Sequence, residues 1–171
     1  MKKITFIGLG VMGFPMAGHL SKEGYNVTVY NRSEEKSKLW VKNNIGTYST
    51  SIKEAVSESD IVFSCVGNDT DLREITLGTD KAFSSMKPGS VFIDHTTTSS
   101  DIAVELSEKA KELNIYFLDA PVSGGEVGAV KGELTVMIGG ENSIFEKTKS
   151  IIAAYAKNIT LIGGPGKGQI A

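Results

Sequence analysis

Three glycines near the start of the chain, Gly8, Gly10 and Gly13 in "FIGLGVMG", have the spacing of a loop that holds phosphate. The spacing is weak evidence alone, and its setting strengthens it. An apolar stretch over residues 3–10 runs into the glycines. Residues 11–24 follow as a helix, with Met12, Met16 and Leu20 four apart on one face. Strand, glycine turn and helix together aim free N–H groups and a positive dipole end at a pyrophosphate. Gly8 is expected to permit the tight turn, Gly10 to let a ligand approach the backbone, and Gly13 to let helix and strand pack closely. Leu9, Val11 and Met12 complete the loop.

A second set of residues sits at the end of the next strand, in "VYNRS". NAD-binding loops of this kind place a carboxylate there to hold the ribose hydroxyls. Here Asn31 and Arg32 stand in its place, followed by Ser33. A carboxylate repels a 2′-phosphate, whereas an arginine clamps one and a serine hydroxyl adds a donor. Arg32 and Arg73 are the only arginines in the chain. The reading is NADP(H) in preference to NAD(H). A third set, "DAPVSGGEVGAVKGELTVMIGG" over 119–140, and a fourth, "GGPGKGQIA" over 163–171, are rich in glycine without being low in complexity.

The elements that must position these residues alternate. Apolar strands are expected at 3–10, 26–31, 60–66, 90–96, 115–122, 133–140 and 158–163. Helices are expected at 11–24, 33–43, near 69–85, 100–114 and 143–156. Ser33 is expected to cap the second helix, and Ser51–Glu54 and Ser143–Glu146 to form capping boxes. Strands alternating with helices mean βαβ units and a parallel sheet buried on both faces. The fold expected is therefore a single α/β domain, a doubly wound Rossmann-type, mostly parallel sheet. Its bounds are 1–163, and 164–171 form a turn and the first step of an interdomain helix.

Composition excludes other classes. A net charge of −2 offers no basic field for nucleic acid. No apolar run approaches the ~20 residues that a membrane span needs. Cys65 is the only cysteine, so no internal disulfide forms, and a cytoplasmic location is the default. No group of Cys, His and acids has metal-ligand spacing. Cys65 reads as a small core residue, His19 as a surface or interhelical residue, and Trp40 as packed on the sheet. His95, before Thr96 at a strand end, either lines the site or takes its place from its neighbours Asp94 and Thr96.

Three pieces carry a resemblance over the whole chain: "FIGLGVMGFPMAGHL", "DAPVSGGEVGAVKGELTVMIGG" and "GPGKGQIA". In them the chain resembles the β-hydroxyacid dehydrogenases, the family of 3-hydroxyisobutyrate dehydrogenase and the semialdehyde reductases. The resemblance implies hydride transfer between a nicotinamide and a small 3-hydroxy acid or semialdehyde acid. It implies that Cys65, Val66 and Gly67 lie over the riboses, that Thr96 sits near the nicotinamide, and that Ser123 with the backbone of Gly124 and Gly125 binds the substrate carboxylate and hydroxyl. Adjacent glycines expose N–H groups that suit an anion. The family's acid/base is a lysine on a long helix, and the resemblance places it just after Ala171; Lys167 lies out of register with that helix face. The chain is therefore expected to bind NADPH without turnover. A homodimer or homotetramer is expected to form through a helical second domain, whose absence leaves apolar surface exposed. The alternatives are a stand-alone NADP-binding module, or the cofactor domain of a 6-phosphogluconate dehydrogenase-like or imine reductase-like enzyme.

Overall fold

The computed structural model describes residues 2–171. Alternating segments build one sheet. Its parallel part comprises β1 (Lys3–Ile7), β2 (Asn26–Tyr30), β3 (Thr47–Tyr48), β4 (Ile61–Ser64), β5 (Val91–Asp94) and β6 (Tyr116–Asp119). The rest comprises β7 (Val122–Ser123), β8 (Leu134–Gly139) and β9 (Ala156–Gly163). The order is β3-β2-β1-β4-β5-β6-β8-β7, with β9 paired to β8. β8 runs antiparallel to β6 and β7 and parallel to β9. Chain direction along the sheet therefore reverses after β6, and the expected mostly parallel, doubly wound sheet is what forms.

Alternate residues of the central strands enter two separate cores. Phe6, Phe63, Ile93 and Leu118 pack on one face with Met16, Leu20 and Trp40. Those three come from helices α1 (Gly13–Lys22) and α2 (Glu34–Asn43), and α8 (Asn142–Ile152) covers the same face. Val62, Phe92 and Phe117 pack on the other face under α3 (Ile52–Val56), α4 (Asp69–Thr76), α5 (Ala82–Ser85) and α6 (Ser100–Glu112). The period-2 side-chain alternation of a strand makes both faces apolar, and each helix buries one stripe.

Several local expectations change. The helical stretch near 69–85 is two helices, because Gly78 (φ 105°) and Asp80 (φ 61°) turn the chain between them. Helix α7 (Gly125–Lys131) has no counterpart in the sequence reading. Its only buried residue is Ala129, while Val127 and Val130 are exposed, so it carries no apolar stripe to read. Ser51 caps α3 by accepting from the Glu54 amide at 3.2 Å. Ser33 stands at the start of α2 without a side-chain cap. The Lys36 amide that its hydroxyl would accept from donates instead to the Ser33 carbonyl, at 3.2 Å. Ser143 lies inside α8, whose N-cap is Glu141, and its hydroxyl donates to Glu141 Oε1 at 3.2 Å. Residues 164–170 form successive turns rather than a helical start; Lys167 N–H donates to Gly164 O and Ala171 N–H to Gly168 O. Ile162 and Ile170 are exposed, as are Val127 and Val130.

The junction of β1 and α1 sets how closely the first helix approaches the sheet. A Cβ on Gly13 would overlap the Gly8 carbonyl oxygen and stand 3.1 Å from the Phe6 ring. Gly13→Ala is expected to lower unfolding stability by about 1–3 kcal/mol, the usual range for overpacking. Urea denaturation measures it, and an unchanged midpoint would show that this contact is free to relax.

Candidate functional site: a cleft at the sheet's switch point

The tips of β1 and β4 lie side by side where the strand order reverses, and a cleft opens beyond their carboxyl ends. It measures about 410 Å³. The loop Gly8-Leu9-Gly10-Val11-Met12-Gly13 forms its floor, and Tyr30, Asn31 and Arg32 one end. Cys65, Val66 and Gly67 form a wall. Gly8 (φ 100°) lies so close to β4 that a Cβ would overlap the Cys65 carbonyl. Gly10 has open space where a Cβ would go. The Gly10, Val11 and Met12 amides donate to no backbone acceptor among the described residues. Free amides, an open backbone face and a helix start together make a fitting cradle for a pyrophosphate.

Asn31 does more than leave out a carboxylate. Its Oδ1 accepts from the Leu9 amide at 2.9 Å, and its Nδ2 donates to the Ser33 carbonyl at 3.1 Å. It thus ties the glycine loop to the tip of β2. An aspartate could accept from Leu9 but would set a negative oxygen against the Ser33 carbonyl. Arg32 is exposed at the cleft's rim, and Ser33 is exposed but does not line the cleft. The sequence reading missed the opposite wall: Ile52 from α3, Asp71, Glu74 and Ile75 from α4, and Lys81 from the turn before α5. No motif marks these residues, since only the packing of α3 and α4 brings them to the cleft.

Thr96, Ser123, Gly124 and Gly125 lie outside this cleft. Thr96 is buried, and its Oγ1 accepts from the Val66 amide at 3.0 Å, which joins the β5 tip to the cleft wall. Ser123, Gly124 and Gly125 are exposed at the β7–α7 junction, where Gly124 and Gly125 have φ of 128° and 62°. The segment 164–171 is held against the same tips. Buried Asp119 accepts from the Gly166 amide at 2.9 Å and the Gln169 amide at 3.2 Å. The Gln169 side chain donates to Thr96 O at 2.8 Å and accepts from the Thr98 amide at 3.1 Å. Lys167 is exposed on this turn.

Cys65 and His95, which could act as nucleophile and base near the cleft, are both sealed. Burial first, then the Asp94 carboxylate, push the Cys65 thiol up to about 12, so it stays protonated. His95 does not face the cleft. Its Nδ1–H donates to the Ala120 carbonyl at 2.6 Å, and its Nε2 accepts from the Tyr155 hydroxyl at 2.6 Å. Burial holds it down at about 4 and raises Tyr155 well above the usual phenol range. His19 joins α1 to the end of α7 through the Ala129 and Val130 carbonyls. Among the described residues no cluster of Cys, His and acids could hold a metal, and no helix is long and apolar enough to cross a membrane.

This fold and cleft define a pyridine-nucleotide-binding domain. Residues 3–163 match the family described as the NAD binding domain of 6-phosphogluconate dehydrogenase, and the chain belongs to that family. Its relatives are oxidoreductases of the 3-hydroxyisobutyrate dehydrogenase-like, β-hydroxyacid dehydrogenase kind. It is 51% identical to an uncharacterised oxidoreductase of Shewanella frigidimarina, over 99% of this chain and 58% of that protein. It is 36% identical to the 2-hydroxy-3-oxopropionate reductase of Escherichia coli, over 98% of this chain and 56% of that protein. Among solved structures, 3-hydroxyisobutyrate dehydrogenase of Mycobacterium tuberculosis with L-serine superposes with a TM-score of 0.94. The two chains are 31% identical, and the match covers 99% of this chain and 57% of that one. The chain thus spans less than two thirds of the length of the relatives it matches.

Two predictions test the site's frame. Asp94 is buried; its Oδ1 accepts from Ser64 Oγ at 2.7 Å and the Thr96 amide at 3.1 Å, while Oδ2 has no partner among the described residues. Burial raises it from 3.8 to about 7 against those hydrogen bonds, so between pH 4 and 7 the folded state holds a proton that the unfolded chain has lost. Stability from Asp94 therefore falls as pH rises through that window, and Asp119, also raised by burial, acts in the same sense. His95, depressed from 6.5 to about 4, gives the opposite slope in much of the same range. Asp94→Asn is expected to make stability climb more steeply from pH 4 to 6.5 than in the parent, read from urea midpoints at each pH. Identical slopes would mean that Asp94 is ionised in the fold. Gln169→Ala is expected to speed exchange of the Thr98 amide about tenfold, the worth of one hydrogen bond. Unchanged protection by NMR would remove Gln169 as the loop's support.

Proposed function

We propose that this chain is the NADP(H)-binding part of a β-hydroxyacid dehydrogenase or semialdehyde reductase, and that it prefers NADP(H) to NAD(H). The observation that carries the preference is the tip of β2. It presents Arg32 to the cleft and no carboxylate, while the Asn31 side chain is occupied by Leu9 and Ser33. The Gly8–Gly13 loop and the first turn of α1 would hold the pyrophosphate. Arg32, helped by the Ser33 hydroxyl, would meet the 2′-phosphate. Cys65, Val66 and Gly67 would line the ribose side.

When bound, the nicotinamide supplies or accepts the hydride. The chain's own residues bind and orient. Thr96 holds the Val66 wall, and Ser123 with the Gly124 and Gly125 amides would receive the carboxylate and hydroxyl of a small 3-hydroxy acid or semialdehyde acid. No acid/base is assigned within residues 2–171; the resemblance gives that role to a lysine beyond them. A homodimer or homotetramer of the whole protein, and a cytoplasmic location, belong to the same reading.

Titration with NADPH and NADH tests the preference. NADPH is expected to bind more tightly, and Arg32→Ala to weaken NADPH about tenfold or more while leaving NADH nearly unchanged. Equal or tighter binding of NADH to the parent chain would overturn the preference.

A further inference from the structure

We infer that Lys81 is a second specificity-determining cation of the cleft and contacts the nucleotide's 2′-phosphate from the wall opposite Arg32. The inference rests on the reading of the cleft as an NADP site and extends it to a residue in no recognised motif. Among the described residues, Arg32 and Lys81 are the only cations that line the cleft. Arg32 follows β2, and Lys81 is the residue before α5. Helix α3 packs against both β2 and α5, and its Ile52 lies in the cleft lining with them. Both cations therefore line the cleft on elements that α3 joins, Arg32 just after β2 and Lys81 just before α5.

Neither cation is neutralised. The acid next to Lys81, Asp80, pairs with Lys53 at 3.4 Å. The acids nearest Arg32 in sequence, Glu34 and Glu35, pair with Lys38 at 4.0 and 3.8 Å. Among the described residues no carboxylate lies within ion-pair distance of Lys81 or Arg32. A 2′-phosphate carries nearly two negative charges, and Asp71 and Glu74 line the same cleft. One exposed arginine working against those acids is a weak anion site, and a half-buried lysine on the facing wall makes a clamp of two cations.

The test compares 2′,5′-ADP with 5′-AMP, which differ only by the 2′-phosphate, on the parent chain and on Lys81→Gln by calorimetry. The parent is expected to prefer 2′,5′-ADP. Lys81→Gln is expected to lose about 3- to 10-fold in affinity for 2′,5′-ADP and to keep its affinity for 5′-AMP. A variant that discriminates as well as the parent overturns the assignment. So does a variant that weakens both ligands equally, which would make Lys81 a counter-charge to Glu74. A parent that binds neither nucleotide would overturn the reading of the cleft itself. A parent that binds both equally would overturn the Arg32 preference on which Lys81 depends. Melting curves of the variant, expected to match the parent's, keep a folding defect apart from these outcomes.

Discussion

The arrangement depends on one close approach, that of α1 and its glycine loop to the tips of β1 and β4. The Gly8 carbonyl lies where a Gly13 Cβ would be, and the Cys65 carbonyl lies where a Gly8 Cβ would be. Three backbone segments thus meet with no side chain between them. That contact brings the amides of Gly10–Met12 to the mouth of the switch point, and it fixes where Val66 and Gly67 stand. Burial on both faces of the sheet then holds the contact in place, because α1 packs Met16 and Leu20 into one of the two cores.

Around this frame burial removes three ionisable groups, Cys65, His95 and Asp94, from chemistry. Cys65 is held as a thiol, His95 as a neutral ring bonded to Tyr155 and Ala120, and Asp94 at the edge of ionisation under Thr96. A site with no activated nucleophile suits a domain that binds and orients a cofactor whose own ring carries the reactivity. The polar atoms that remain serve as connectors. Asn31 ties the glycine loop to β2, Thr96 ties β5 to the cleft wall, and Asp119 with Gln169 ties residues 164–171 to the loop after β5. The final glycine-rich stretch is therefore part of the architecture around the strand tips, and its backbone follows the Asp119 carboxylate rather than a helical path.

Much of the fold was legible in the sequence because apolar periodicity and glycine spacing are local signals. The strands β1, β2, β4, β5 and β6, the order of βαβ units and the close packing at Gly8 and Gly13 could all be read there, whereas the two-residue β3 (Thr47–Tyr48) is too short to leave a pattern. Where the local signal fails, so does the reading. Helix α7 buries one residue, Ala129, and has no stripe. Ser33 and Ser143 have capping residue types, yet the Lys36 amide bonds the Ser33 carbonyl instead, and Ser143 lies inside α8 with its hydroxyl on the Glu141 carboxylate. The antiparallel placement of β8 leaves no mark in a run of apolar residues, since that run suits either direction.

The sequence by itself determined the fold class, the glycine loop after β1, the absence of a carboxylate after β2 and the family resemblance, because each rests on residue type and spacing within a short stretch. Only the tertiary structure decided that His95 faces the core instead of the cleft and that Asn31 is occupied by Leu9 and Ser33. Likewise it alone set Asp71, Glu74, Ile75 and Lys81 on the cleft's far wall. Those facts depend on which strand lies beside which and on how α3 and α4 cross the sheet. They join residues tens of positions apart, and no local pattern encodes such contacts.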